Sequence, residues 1–408
     1  MSTATLILFF IISIISFLIS RSIFHPSVIV SSIWGLLLVL YRILDHPLWI
    51  LSDKFYIAIM AWVCPFCIIS LCITNINGTD KKSFLKKSHL KKSHLKSFNI
   101  LFYTKILPHI VTLSGICCIL LLVYCGGNLG NLRLLLVDGN FPIYIKMIFY
   151  LSTFLIVYFF FGLLNSKEIK NKDLILLFVS LLAISLLRSN KTSFLSLFVS
   201  SAYILYKKKS LKLRYILYLI IILALMLIVV SLSRDDYNFE NSSAIENFIY
   251  IYLLSPLTAF DLIINNNLNL GEGTPGESIF IFIYRILNVF GCNLSFTDLG
   301  TWVNVPLPTN VYTAMRAFYL EGGIGGIMMG SSILAIIWGV MYRWQKKSSQ
   351  IAIVFYACML SSLFFQSFGD YFFYTFSVTI QYLIFSIIIF HGISIFPKRR
   401  ISKKYYNQ

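Results

Sequence analysis

Long apolar runs separated by short, mostly basic breaks set the pattern of this chain. The runs cover 4–20, 27–43, 55–74, 106–124, 143–164, 174–187, 192–206, 215–232, 323–342, 351–365 and 372–395. A membrane-spanning helix needs about 20 mostly apolar residues, with roughly 17–25 usual. The pattern therefore predicts an all-α polytopic membrane protein of about eleven spans. Runs 174–187 and 192–206 are short, and Arg188-Ser-Asn-Lys191 between them predicts a tight hairpin. The first run has no basic residue before it and no small-residue cleavage site after it. It reads as a retained helix rather than a signal peptide.

One stretch, 233–322, is too long and too polar to be an ordinary connection. It divides the chain into an N-terminal bundle of about eight spans (1–232), a long loop (233–322) and C-terminal spans with a tail (323–408). The loop has apolar stretches of its own. Residues 245–264 are interrupted by Pro256 and carry Glu246 and Asp261, and residues 278–290 carry Arg285. Both read as helices lying in the membrane interface or packed over the bundle. A re-entrant hairpin is the alternative. Gly271-Glu-Gly-Thr-Pro-Gly276 between them is a turn-rich connector.

Composition agrees with lipid as the solvent: 58% of residues are hydrophobic and 12% charged, against about 25% charged in soluble domains. The net charge of +18 is parcelled into short loops, which argues against nucleic acid as a partner and for a topological signal. Arg21, the lysines from Lys81 to Lys105, Lys167, Lys170, Lys172, Lys207 to Arg214, Arg343, Lys346, Lys347 and Lys398 to Lys404 fall on one side. They make up 25 of the 34 basic residues. The other side holds Lys54, Arg133, Arg188, Lys191, Arg234, Arg285 and Arg316. The richer side is expected to be cytoplasmic, with the N-terminus outside and the C-terminus inside. The repeat Lys86-Lys-Ser-His-Leu, Lys91-Lys-Ser-His-Leu suits anionic-lipid binding, or more simply a solvated loop that fixes topology. Cys64-Pro-Phe-Cys67 has the spacing of a redox pair but lies mid-span with no βαβ context.

The sides differ in kind of charge as well. The expected inner loops use 20 Lys and five Arg, the outer ones five Arg and two Lys. Topology does not require Arg over Lys, whereas bidentate binding of phosphate does. Thirteen of the 16 acids, including Asp138, Asp235, Asp236, Glu240, Asp298, Glu321 and Asp370, are also expected outside. Arginines beside carboxylates suit a phosphorylated donor and a general base for an attacking hydroxyl. No HExxH, DxD or paired-cysteine pattern occupies an outer loop, so no metal or other cofactor is expected.

The most informative stretch is Pro308-Thr-Asn-Val-Tyr-Thr-Ala-Met-Arg-Ala-Phe-Tyr-Leu-Glu-Gly-Gly-Ile-Gly-Gly326, which leads from the loop into a span. Gly322, Gly323, Gly325 and Gly326 allow close backbone or helix approach. Arg316 and Glu321 enter the membrane boundary, where unpaired charge is costly. In a helix Thr313, Arg316, Tyr319 and Leu320 would share one face. The plainer alternative is an aromatic belt of Trp302, Tyr312 and Tyr319, with Arg316 snorkelling and the glycines packing.

Pro308-Thr-Asn-Val-Tyr-Thr followed by Tyr319-x-Glu-x-Gly323-x-x-Gly326 resembles the signature of O-antigen polymerases, the oligosaccharide repeat unit polymerases. The layout is similar along nearly the whole chain, and Arg188-x-x-Lys191 looks like an arginine-containing outer turn of that family. The resemblance implies a membrane glycosyltransferase with the architecture of lipid-linked-sugar (GT-C-like) enzymes in the bacterial cytoplasmic membrane. It implies undecaprenyl-diphosphate-linked glycans as donor and acceptor, with a chain-length regulator and a flippase as partners and no metal. Arg316, Glu321 and Arg188 would then be catalytic. Arg133, Arg234, Arg285, Asn310, Tyr312, Thr313 and Tyr319 would bind diphosphate or glycan. The family often has Asp where this chain has Glu321, a carboxylate of longer reach.

Two alternatives compete, of which the first shares the layout. O-antigen ligases are expected to use a His in the long loop, and 233–322 contains none. A flippase of lipid-linked oligosaccharides would line a cavity within its spans with cations, whereas here the spans are nearly free of charge and the arginines are expected at the outer rim.

Overall fold

The computed structural model describes residues 1–76, 107–126, 142–166, 179–180, 183–184, 191–209, 249–265, 276–294, 302–306, 308–347 and 349–395. Five long helices come first: α1 (Ser2–Ser20), α2 (Pro26–Ile43), α3 (Asp53–Asn75), α4 (Leu107–Tyr124) and α5 (Ile143–Asn165). Next is α6 (Lys191–Lys207). A π-helical turn, Ile249–Leu254, runs into α7 (Ser255–Ile264), and α8 (Glu277–Val289) follows. A two-residue antiparallel pair, β1 (Val303–Asn304) with β2 (Pro308–Thr309), precedes α9 (Met315–Lys346), α10 (Gln350–Met359), α11 (Ser361–Phe364) and α12 (Phe376–Ile395). Among the described residues α1 to α5 and α9 are long and apolar enough to cross a membrane, and shorter apolar helices cover α6, α7, α10–α11 and α12. The chain is an all-α, multi-pass membrane protein. The expected runs 174–187 and 215–232 and the repeat near Lys86 lie wholly or mainly outside the described residues.

Local chemistry fixes where the helices begin. His25 precedes α2, and its Nδ1 accepts from the Ser27 N–H at 3.2 Å while Pro26 opens the helix. The Ser52 hydroxyl accepts from Phe55 N–H at the start of α3. Such caps satisfy N–H groups that have no partner within the helix.

The centre of the bundle is the contact of α3 with α9. Ser331 Oγ donates to the Trp62 carbonyl at 2.5 Å. Lower down, a Cβ on Gly339 would lie 2.9 Å from Ile73, so the small residue lets the two helices close up. Contacts at 62 with 331 and at 73 with 339 mean that α3 and α9 run in the same direction. Gln366 ties three elements together: its Oε1 accepts from Trp34 Nε1 at 3.1 Å and from Trp62 Nε1 at 2.9 Å. All three side chains are buried.

Polar residues gather at the two ends of the bundle. Arg42, Asp45, Ser52, Asp261 and Tyr250 meet at one end: Ser52 N–H donates to Asp261 Oδ2 at 3.1 Å, and Tyr250 OH donates to the Asp45 carbonyl at 2.8 Å. His25, Tyr342, Lys346, Tyr203 and Lys208 gather at the other. There Lys208 Nζ donates to the Leu163 carbonyl at 2.8 Å and to Ser166 Oγ at 2.7 Å. Burial pushes the Lys208 ammonium down to about 8.

Two expectations are refined. Residues 255–264 take the packed arrangement, one of the two expected. Ser255 to Asp261, Ile263 and Ile264 are buried, and Leu254, Leu257, Phe260 and Ile264 join the main core. The packed alternative holds for α7, whereas α8 keeps Phe280, Ile283, Ile286 and Leu287 exposed. Second, α10 and α11 span residues 350–364, about 22 Å at 1.5 Å per residue, short of a hydrocarbon core of about 30 Å. The chain turns back inside the bundle, at the level of Trp62. That level is about 13 Å, nine residues of helix, from the start of α3.

Candidate functional site

Two irregular segments meet at that depth: the stretch from β2 into α9, and the turn 365–375 between α11 and α12. The β1–β2 pair (Val303 opposite Thr309) stands at the start of the first segment. Ala314 N–H then donates to the Gln366 carbonyl at 2.7 Å. A Cβ on Gly369 would lie 3.8 Å from the Tyr312 carbonyl, which places the turn alongside.

The first two turns of α9 are a separate piece. Gly322 (φ −162°, ψ 25°) and Gly323 (φ 56°, ψ −142°) break the helix, and the backbone at Gly323 is one that side chains rarely adopt. The piece from Met315 to Glu321 folds back on the helix it leads into. A Cβ on Gly326 would stand 2.2 Å from the Phe318 carbonyl oxygen, and one on Gly330 would stand 2.1 Å from the Phe318 ring. Phe318 completes the contact against Trp62 (5.5 Å) and Phe373 (6.0 Å between centroids). Close approach therefore belongs to Gly326 and to Gly330, which sequence reasoning missed. Gly322 and Gly325 have open space where a Cβ would go.

This fold-back buries Arg316 to 4% exposure. Its guanidinium carbon lies 4.1 Å from the centroid of Tyr312, itself buried, well inside cation–π range of about 6 Å. Arg316 is thus neither at the rim nor snorkelling, and Tyr312 is not part of a surface belt. Trp302 alone of the three aromatics is largely exposed, at 61%. Burial raises the Tyr312 phenol above its ordinary value, and the Arg316 charge works against that. Thr313 is also buried, and its hydroxyl has no hydrogen-bond partner among the described residues. It precedes the helix, so it does not share a helical face with Arg316, while Leu320 is exposed.

The remaining expected residues are spread around this centre. Tyr319 OH donates to the Ile264 carbonyl at 3.2 Å, and its ring packs 5.9 Å from Phe260 of α7. Glu321 accepts from the N–H groups of Gly276 (2.6 Å) and Ser278 (3.2 Å). It closes the N-terminus of α8, where a carboxylate is favoured by unpaired N–H groups and the helix dipole. Arg285 is exposed on α8, 5.8 Å from the Tyr374 ring centroid. Asn310 is partly buried just after β2. Arg133, Arg188 and Arg234 lie outside the described residues.

Sequence reasoning missed Gln366, and it placed Asp370 among thirteen outer acids without distinguishing it. The signal was present in Gln366-Ser-Phe-Gly-Asp370, a polar, glycine-containing break between two apolar runs. Among the described residues no group of three or more His, Cys, Asp or Glu gathers as a metal site.

Comparison with known proteins finds a relative named O-antigen polymerase from Shigella dysenteriae, 29% identical over 131 residues. The match covers 30% of this chain and 32% of the relative, so it spans about a third of that protein's length. No family model and no solved structure matches the chain.

Proposed function

We propose that this chain polymerises lipid-linked oligosaccharide repeat units into O-antigen or a similar surface polysaccharide. The observation that carries the reading is Arg316, a guanidinium buried deep in an apolar bundle beside Tyr312 and the Thr313 hydroxyl. A buried charge is retained where it has a task. Here the task is to neutralise the diphosphate released when the glycosidic bond to its carrier breaks. The relative named O-antigen polymerase supports the same reading.

In this proposal the chain is an eleven-span, GT-C-like glycosyltransferase of the bacterial cytoplasmic membrane that works on the outer face. Donor and acceptor are undecaprenyl-diphosphate-linked glycans, and a flippase and a chain-length regulator act beside it. Arg188, Arg133 and Arg234 are proposed to join Arg316 at the diphosphate, with Arg285, Asn310, Tyr312, Thr313 and Tyr319 lining the path of the glycan. Glu321 holds the loop helix over the site. The buried position of Arg316 also fits a flippase, since a transporter places its cations within the bundle.

Surface glycan on a gel separates the two. Cells lacking the chain are expected to display single repeat units and no long chains, because units still reach the outer face one at a time. Loss of both, with lipid-linked units accumulating inside, overturns the polymerase and favours the flippase. The orientation has its own measurement, in a background without the native cysteines. Thr274→Cys is expected to react with an impermeant thiol reagent on intact cells, and Lys404→Cys only after permeabilisation. The opposite pattern inverts the topology.

A further inference from the structure

The described outer acids differ in what their oxygens already do. Glu321 has both oxygens on N–H groups of the α8 terminus. Asp261 has both oxygens engaged, by Ser52 N–H and Oγ and by Asn265 Nδ2. Asp45 and Asp53 are exposed at the far end of α2 and the start of α3. Glu277 is buried in the first turn of α8.

Asp370 is different. One oxygen, Oδ1, accepts from the N–H groups of Phe372 (2.9 Å) and Phe373 (3.1 Å). The Tyr374 N–H also bears on the carboxylate, no side chain among the described residues bonds Oδ2, and the residue is only partly buried. The turn that carries it is fixed against the Arg316 segment by the Ala314–Gln366 hydrogen bond and by the approach of Gly369 to Tyr312. Its neighbour Gly369 (φ 139°) has a backbone that L side chains rarely adopt, which holds the direction of the turn.

We infer that Asp370 is the general base of the transfer reaction, taking the proton from the acceptor hydroxyl through Oδ2 while Oδ1 stays bound to the turn. This rests on the polymerase reading. In the step, the acceptor oxygen loses its proton to the Asp370 carboxylate and bonds to the anomeric carbon of the donor glycan. The bond from that carbon to the diphosphate oxygen breaks, and the electron pair leaves with the diphosphate beside Arg316. Asp370 and Arg316 thus divide the work: one accepts a proton and the other a negative charge.

Burial raises the Asp370 carboxyl to about 6, against the pull of the N–H groups of Phe373, Phe372 and Tyr374. A base with a pKa near the working pH is ionised yet still basic. The titratable groups around it are Tyr371 and Tyr374 on its own turn, Tyr312 and Arg316 on the segment it docks against, and Arg285 of α8 over the Tyr374 ring. Burial pushes Tyr371 up to about 12, so Asp370 is the group whose titration falls near neutrality. Activity that needs its ionised form falls as pH drops through about 6.

The test uses membrane vesicles containing the full chain, supplied with lipid-linked repeat units extracted from cells that lack it. Asp370→Asn keeps an oxygen for the Phe372 and Phe373 N–H groups and so keeps the turn, but its amide cannot take a proton. Its polymer formation is expected to fall by about 10²–10⁴, with Asp370→Glu recovering part of the rate. The wild-type rate is expected to drop about tenfold per pH unit below about pH 6. That measurement needs no variant, so it stands even if Asp370→Asn does not fold. Normal polymer from Asp370→Asn, or a wild-type rate flat from about pH 5 to 7.5, overturns the assignment. If that happens while Arg316→Ala still makes only single units, the polymerase reading survives without this base. If cells lacking the chain still make long polymer, the polymerase reading itself has failed.

Discussion

Arg316→Ala is expected to lower polymer synthesis by about 10²–10³, the usual cost of removing one electrostatic contact to developing charge, or roughly 3–4 kcal/mol. The effect should be this large because the guanidinium is buried. Water does not screen it as it screens a surface arginine, and the Tyr312 ring, 4.1 Å away, holds it in place. Arg316→Lys should recover only part of the loss. It keeps the charge but loses the planar fork that matches two phosphate oxygens. The measurement is a gel of surface glycan at matched membrane levels of each variant, and single-unit capping without long chains is the expected pattern. Long chains of normal abundance from both variants would remove Arg316 from the chemistry.

Gly326→Ala is expected to abolish long chains although it adds a single methyl group. Two effects oppose each other. In an open helix, alanine in place of glycine stabilises by about 0.5–1 kcal/mol. Here the new carbon would sit 2.2 Å from the Phe318 carbonyl oxygen. Backbone cannot swing aside as a side-chain tip can, and overpacking of this kind costs about 1–3 kcal/mol or more. The clash wins, the Met315-to-Glu321 piece is pushed off its helix, and Arg316 moves with it. Gly325→Ala is the matched control, since no atom lies within 4 Å of its Cβ position. It should insert and polymerise as the wild type does. Equal activity of the two variants, on the same gel, would mean that the fold-back does not position Arg316.

The parts legible in the sequence were those that depend on neighbours along the chain. Apolar run length located α1 to α5 and the membrane-crossing part of α9, because a helix in lipid must satisfy its own backbone. Basic clusters sorted Lys208 and Lys346 to one end and Asp261 to the other. Gly323 marked the boundary between loop and span, and the helix breaks there. The parts not legible depend on partners far away in sequence. Gln366 reads as an ordinary loop residue until Trp34 and Trp62, more than 300 positions earlier, converge on its side-chain oxygen. Gly330 looks like any mid-helix glycine until Phe318 folds over it. The depth of Arg316 follows from α10 and α11 stopping short, and a run of apolar residues does not announce that its helix will end inside the bundle.

The contact of Glu321 with the N–H groups of Gly276 and Ser278 gives the length of that side chain a mechanical meaning. A side chain whose two oxygens hold a helix end acts as a strut, and its length sets how high that helix stands. Aspartate in the same place would keep the chemistry but shorten the strut by one methylene. Glu321→Asp would then seat α8 lower, or let it ride free. The height of α8 over α9 is in this way a property of one side chain's length, and it can be retuned without altering Arg316 or Tyr312.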